Sequence, residues 1–217
     1  MTPIVFDLDG TLIDSLPDIV VAANKMLADF GKRPLSDATI RGFIGNGLPV
    51  LVQRVRRASD LDEPGALDSI LKHYNAAPSD LTRPYSGVLD ALKALKGNGY
   101  PMGICTNKEY ELTLPVLENL GLAPFFDVVV GGNSRPTPKP DGEPLLHCFQ
   151  ELGFSAGIFI GDSEVDAKTG QNAGVPFGLF EGGYRKTPVE QLPHTFSFKD
   201  FADLPDLVER TVLSAKG

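Results

Sequence analysis

Apolar residues gather in five short blocks, at positions 4–8, 102–106, 127–130, 157–160 and 177–180, with little polar alternation inside them. Brief, largely apolar runs of this kind predict strands buried on both faces, as in a parallel sheet covered by helices. Between the blocks the apolar spacing becomes helical. "SGVLDALKALKGNG" sets Leu89, Leu92 and Leu95 along one side, with Ser86 as a candidate N-cap and glycines closing the segment. "EVDAKTGQNAG" closes in the same way at Gly174, while Pro115 in "ELTLPVLENLG" marks either a kink or a helix start. Strands alternating with helices predict an α/β fold built on a doubly wound parallel sheet.

One connection breaks the rhythm. A parallel crossover needs only a dozen or more residues, yet about ninety separate Asp9 from Met102. Much of that stretch reads as helices alone: "PDIVVAANKMLADFG", "SDATIRGFIG", "LPVLVQRVRRAS" and "PGALDSILKHYNAA". The pattern predicts a core of residues 1–15 and 83–217 with an all-helical insertion at 16–82, hinged near 15–17 and 79–84. Such an insertion could close over the strand ends, where ligands of these sheets bind.

Composition narrows the class. With 217 residues, 42% hydrophobic and 22% charged, the chain is of ordinary globular make-up. A net charge of −8 argues against a nucleic-acid partner. No apolar run reaches membrane-spanning length, and the N-terminus lacks a basic stretch followed by an apolar one, so no membrane partner is expected. Cys105 and Cys148 are too few for a disulfide framework, which makes the cytoplasm the expected location. No stretch declares a subunit interface, leaving monomer and homodimer open.

The chemistry gathers where the strands end. "IVFDLDGTLID" presents Asp7 and Asp9; "MGICTNK" delivers Thr106, Asn107 and Lys108; "VGGNSRPTPKP" carries Lys139; "GIFIGDSEVD" supplies Asp162 and Asp166. Parallel strands put all these ends on one edge, at the switch-point crevice. Two like charges 4 Å apart repel by about 4 kcal/mol at an effective dielectric of 20. Four carboxylates and one ammonium therefore call for a hard divalent cation, Mg²⁺, since His73, His147 and His194 are scattered. Asp7 is then placed to attack a phosphate ester, Asp9 to protonate the leaving alkoxide and activate water, and Thr106 to meet the non-bridging oxygens.

These segments resemble the four motifs of the haloacid dehalogenase (HAD) superfamily: "DLDGT", "CTN", Lys139 before Pro140, and "GDSEVD". Order and spacing match along the whole chain, and the insertion is similar to that family's C1 helical cap on a Rossmann-like core. The resemblance implies Asp7 as nucleophile, Asp9 as general acid/base, and Thr106 and Lys139 as phosphate binders. It also implies metal binding by Asp162, Asp7 and the Asp9 main-chain carbonyl, with Asp166 either supporting the metal or orienting Lys139. "TNK", "GNG" at 45–47, "AGVP" at 173–176 and "GGYR" at 182–185 are similar to phosphoglycolate phosphatases, although Gly142 and Asn133 depart from that pattern.

The leading expectation is an Mg²⁺-dependent phosphomonoesterase acting on a small phosphate ester, with 2-phosphoglycolate as first candidate. A phosphomutase of the beta-phosphoglucomutase type and a receiver-like signalling domain use related residues. Asn107, Lys108, Asn46 and Arg41 are candidate substrate contacts. Arg54, Arg56 and Arg57 read as a solvated helix face, and Tyr184 and Arg185 as the closure of a strand-end loop.

Overall fold

The computed structural model describes residues 2–214. Its strands are β1 (Ile4–Phe6), β2 (Ile13–Asp14), β3 (Arg83–Pro84), β4 (Met102–Cys105), β5 (Val128–Val130), β6 (Ile158–Gly161), β7 (Phe177–Phe180) and β8 (Phe196–Phe198). Six of them form one parallel sheet in the order β5-β4-β1-β6-β7-β8. The helices are α1 (Leu16–Asp29), α2 (Asp37–Arg41), α3 (Leu48–Ala58), α4 (Ala66–Ala76), α5 (Val88–Gly97), α6 (Tyr110–Asn119), α7 (Glu143–Glu151), α8 (Glu164–Ala173) and α9 (Leu204–Ser214). None of the described helices is long and apolar enough to cross a membrane.

The unbroken apolar character of β1 follows from its place in this sheet. Ile4 and Phe6 point into one cluster, with Leu92, Leu95 and Val208, whereas Val5 points into the other, with Leu145, Phe149 and Phe159. Successive strand residues face opposite ways, so a strand covered on both sides must be apolar throughout. From β1 the chain steps through β4 to β5 on one side, then returns to build β6, β7 and β8 on the other. The order thus reverses beside β1, and the crevice outside the strand ends opens there.

Helices α1–α4 pack around an apolar cluster of their own, which includes Met26, Leu27, Ile40, Val55 and Ile70 and takes in Leu112 of α6. The chain leaves for this insertion along β2 and returns along β3, which pair antiparallel with Ile13 opposite Pro84. Two-residue strands carry no readable periodicity, so this ribbon has no signature in the sequence. The same holds for β8, whose "FSF" lies among loop-forming residues. Ser86 does not cap α5; Gly87 does, with a left-handed φ of 81°. Pro115 neither starts nor ends α6 but lies within it.

Asp18, in the first turn of α1, ties the two linkers together. Its buried carboxylate accepts from the N–H groups of Leu81 (3.1 Å) and Thr82 (2.7 Å) and from the Thr82 hydroxyl (2.6 Å). Removing the carboxylate leaves buried donors without an acceptor, at a cost of about 1–3 kcal/mol for such a group. Asp18→Ala is therefore expected to lower the melting temperature by roughly 2–12 °C, at about 2–4 °C per kcal/mol for a chain of this size. Thermal unfolding followed by circular dichroism checks this, and an unchanged midpoint would refute the tie.

Candidate active site

The register of the sheet sets the site. β1 lies between β4 and β6, with Phe6 opposite both Ile104 and Ile160. Asp7 follows β1 directly and its N–H donates to the Ile160 carbonyl at 2.8 Å. Thr106 follows β4, and Asp162 follows β6. Beyond Asp7 the chain turns sharply, and the N–H groups of Thr11, Leu12 and Ile13 all donate to the Leu8 carbonyl. Gly10 makes the turn possible: its φ is 93°, and a Cβ there would sit 2.7 Å from Asp162 Oδ2.

Lys139 joins the acids. Its ammonium donates to Asp7 Oδ1 at 2.8 Å and to Asp166 Oδ1 at 2.7 Å, with the side chain almost wholly buried. Burial works against its charge, but the Asp166 and Asp7 carboxylates outweigh it and raise its pKa. Burial raises the Asp7 pKa to about 6 against the pull of Lys139. Asp162 is likewise pushed well above the usual carboxylate range, by burial first and then by Asp166 and Asp7.

One oxygen from each of Asp7, Asp162 and Asp166 lies within 4.8 Å of the others. Three carboxylates against one ammonium leave two negative charges unbalanced, the charge of one divalent cation. The donors are all carboxylate oxygens, which suits a hard ion. The three are not equally free. Asp166 Oδ1 is taken by Lys139, and its Oδ2 accepts from the Ser163 hydroxyl (2.6 Å) and the Ser163 and Asp162 N–H groups. That pattern completes a capping box at the start of α8. Asp162 accepts from the Thr11 hydroxyl and from the Tyr184 N–H, one donor per oxygen. Asp7 Oδ2 meets no protein donor among the described residues.

The remaining sequence candidates divide. Asp9, whose main-chain carbonyl is the atom expected at the metal, turns its carboxylate to Lys108 at 3.3 and 3.4 Å, outside the acidic trio. Lys108 is itself buried, and its ammonium also donates to the Tyr74 hydroxyl at 2.5 Å. Asn107 donates to the carbonyls of Gly45 and Lys139, both at 3.0 Å, while its buried Oδ1 has no partner among the described residues. Asn46 borders the crevice but gives its amide oxygen to Arg54 at 2.8 Å. Arg54 also holds the Phe43 carbonyl, so it braces this turn instead of lying on a solvated face. Arg41, expected at the substrate, donates to the Gly183 carbonyl and lies over the Tyr184 ring, lining neither cavity of the site.

Tyr74, Thr11 and the hinge role of Tyr184 escape sequence reasoning. Tyr184 reaches across the fold so that its hydroxyl accepts from the N–H groups of Ser15 and Leu16 and donates to Asp14. Thr11 lay in plain view within "DLDGT". Tyr74 had no signal, since a tyrosine on an amphipathic helix reads as core.

Two cavities meet at Asp7 and Asp9. The larger, about 330 Å³, runs past Lys139, Asp162 and Asp166. The smaller, about 60 Å³, lies under α3 and α4 and is walled by Ile44, Leu48, Leu51 and Leu112 with Tyr74 and Lys108.

Comparison with known proteins agrees with this arrangement. The family model for haloacid dehalogenase-like hydrolases matches residues 4–180. A phosphoglycolate phosphatase of Cereibacter sphaeroides is 45% identical, over 96% of this chain and 98% of that protein. One of Rhodobacter capsulatus is 41% identical, over 95% and 96%. The crystal structure of a predicted phosphoglycolate phosphatase from Haemophilus somnus 129pt superimposes with a TM-score of 0.91 at 30% identity, covering 95% of this chain and 97% of that one. With the family model spanning most of its length and the carboxylates and lysine of the motifs gathered at one sheet edge, the chain belongs to the haloacid dehalogenase-like hydrolase family.

Proposed function

We propose that this protein is an Mg²⁺-dependent phosphomonoesterase that hydrolyses 2-phosphoglycolate through an aspartyl phosphate on Asp7. The observation that carries the chemistry is Asp7 itself: one oxygen is held by Lys139 at 2.8 Å and the other meets no protein donor among the described residues. The substrate is drawn from relatives at 41–45% identity that are phosphoglycolate phosphatases over nearly their full length.

Asp7 Oδ2 attacks phosphorus as the ester P–O bond breaks, and Asp9 gives its proton to the departing glycolate oxygen. Asp9, now a carboxylate, takes a proton from water; the water oxygen attacks phosphorus, the Asp7–phosphorus bond breaks, and phosphate leaves with Asp7 restored. Lys139 keeps Asp7 ionised and offsets charge on the phosphoryl group, while Asp166 orients Lys139. Thr106 meets the non-bridging oxygens through its hydroxyl. Asp7, Asp162 and the Asp9 main-chain carbonyl would hold Mg²⁺, which when bound supplies the positive charge that lets a carboxylate approach a phosphate dianion. Residues 16–82 serve as a helical cap over the core of 1–15 and 83–217, excluding bulk water from the closed crevice.

Asp7→Asn is expected to abolish phosphate release from 2-phosphoglycolate with an unchanged far-ultraviolet dichroism spectrum; wild-type turnover in that variant would remove the nucleophile assignment. Asp9→Asn is expected to slow turnover by about 10²–10⁴-fold, the usual contribution of a positioned proton donor, and steady-state kinetics at the wild-type rate would refute it. EDTA is expected to stop phosphate release and excess Mg²⁺ to restore it. Release that persists in the chelator would exclude the metal.

A further inference from the structure

The smaller cavity holds an arrangement that phosphoryl chemistry alone does not require. One side of it is aliphatic, and a lysine and a tyrosine hydroxyl sit together facing that side, beside Asp7, Asp9, Thr106 and Asn107. Lys108 comes from the core strand end and Tyr74 from α4 of the insertion. Their contact is close on two counts: the ammonium donates to the Tyr74 hydroxyl at 2.5 Å and lies 4.6 Å from the centre of its ring.

The donors can be followed one by one. An ammonium has three N–H bonds. One goes to Tyr74, and one is shared between the two Asp9 oxygens at 3.3 and 3.4 Å, which leaves a third. The Tyr74 hydroxyl accepts from Lys108, so its own proton is still to be placed, and it meets no acceptor among the described residues. A buried N–H and a buried O–H thus stand side by side at one cavity, both short of an acceptor, and buried polar groups of this kind ordinarily have partners. Two adjacent donors, one of them cationic, match the two oxygens of a carboxylate.

Size narrows the ligand further. The cavity is small, about 60 Å³ against about 330 Å³ for its neighbour, which favours a short ligand. A two-carbon group such as glycolate suits it better than a hexose. Ile44, Leu48, Leu51 and Leu112 offer no hydrogen bonds, so the aliphatic side of the cavity suits a ligand's carbon atoms better than its hydroxyls.

We infer that Lys108 and Tyr74 form the subsite for the carboxylate of a two-carbon phosphorylated acid, which makes Tyr74 a specificity-determining residue supplied by the helical insertion. The inference rests on the phosphomonoesterase reading above and assigns the part of that site which selects the ester. It also gives the insertion a direct role in selection, because Tyr74 reaches Lys108 only when α4 is docked on the core.

The test compares two esters that differ only in the group at issue: 2-phosphoglycolate, and ethyl phosphate, which has the same two carbons and no carboxylate. The quantity read is the ratio of their kcat/KM values with Mg²⁺ present. Tyr74→Phe keeps the ring and removes the hydroxyl; the ratio is expected to fall by about tenfold, the effect of one hydrogen bond to a charged group. Lys108→Met is expected to lower the ratio by about a hundredfold. A general folding defect would slow both esters alike and leave the ratio where it was. A wild-type preference for 2-phosphoglycolate that survives both substitutions overturns the subsite and spares the substrate assignment. A wild-type enzyme indifferent to the carboxylate overturns the substrate assignment itself.

Discussion

A single buried ammonium makes the centre of this structure tolerable. Without Lys139, Asp7, Asp162 and Asp166 would be three acids at the rim of a water-poor crevice, where burial and neighbouring carboxylates already push Asp7 and Asp162 toward the neutral form. Lys139 holds two of them at hydrogen-bonding distance. The excess negative charge that remains is compatible with a divalent cation bound among these carboxylates. The loop that carries Lys139 is secured in turn: its carbonyl accepts from Asn107, which also grips the Gly45 carbonyl of the insertion. The residue that steadies the lysine loop thus also bonds the helical part.

That docking depends on close fits between main chains and short polar contacts. Gly47 approaches the Asn107 carbonyl so tightly that a Cβ would lie 2.9 Å from its oxygen, and its φ of 82° already favours glycine. The "GNG" stretch is therefore a fitted surface as well as a turn. Across the crevice Arg41 holds the Gly183 carbonyl, and Tyr184 gathers the N–H groups where α1 begins. The same residue's N–H donates to Asp162. One loop therefore contacts the buried Asp162, the start of α1 and Arg41 of the insertion together.

Much of this was legible before any coordinates. The apolar blocks located five of the six strands of the main sheet because a strand buried on both faces has almost no choice of residue type. The long gap between Asp9 and Met102 exposed the insertion because its helices are long enough to show their period. Strand-end chemistry was legible for a related reason: charged groups at buried strand ends have no packing role, so Asp7, Asp9, Lys139 and Asp162 stood out.

What sequence alone determined, then, was the order of the elements, the edge at which the charged residues collect and the surplus of negative charge there. These follow from local periodicity and from charge, which a chain carries wherever it goes. Only the tertiary structure decided which donor meets which acceptor. Asp9 faces Lys108, Asp166 spends both oxygens on Lys139 and the α8 cap, Arg41 belongs to the Gly183 loop, and Tyr74 enters the crevice. Each of these pairs, apart from the local α8 cap, joins residues distant along the chain, and an ammonium or hydroxyl has no preference in sequence for a partner. Proximity selects it, and proximity comes into being only when the helices close on the sheet.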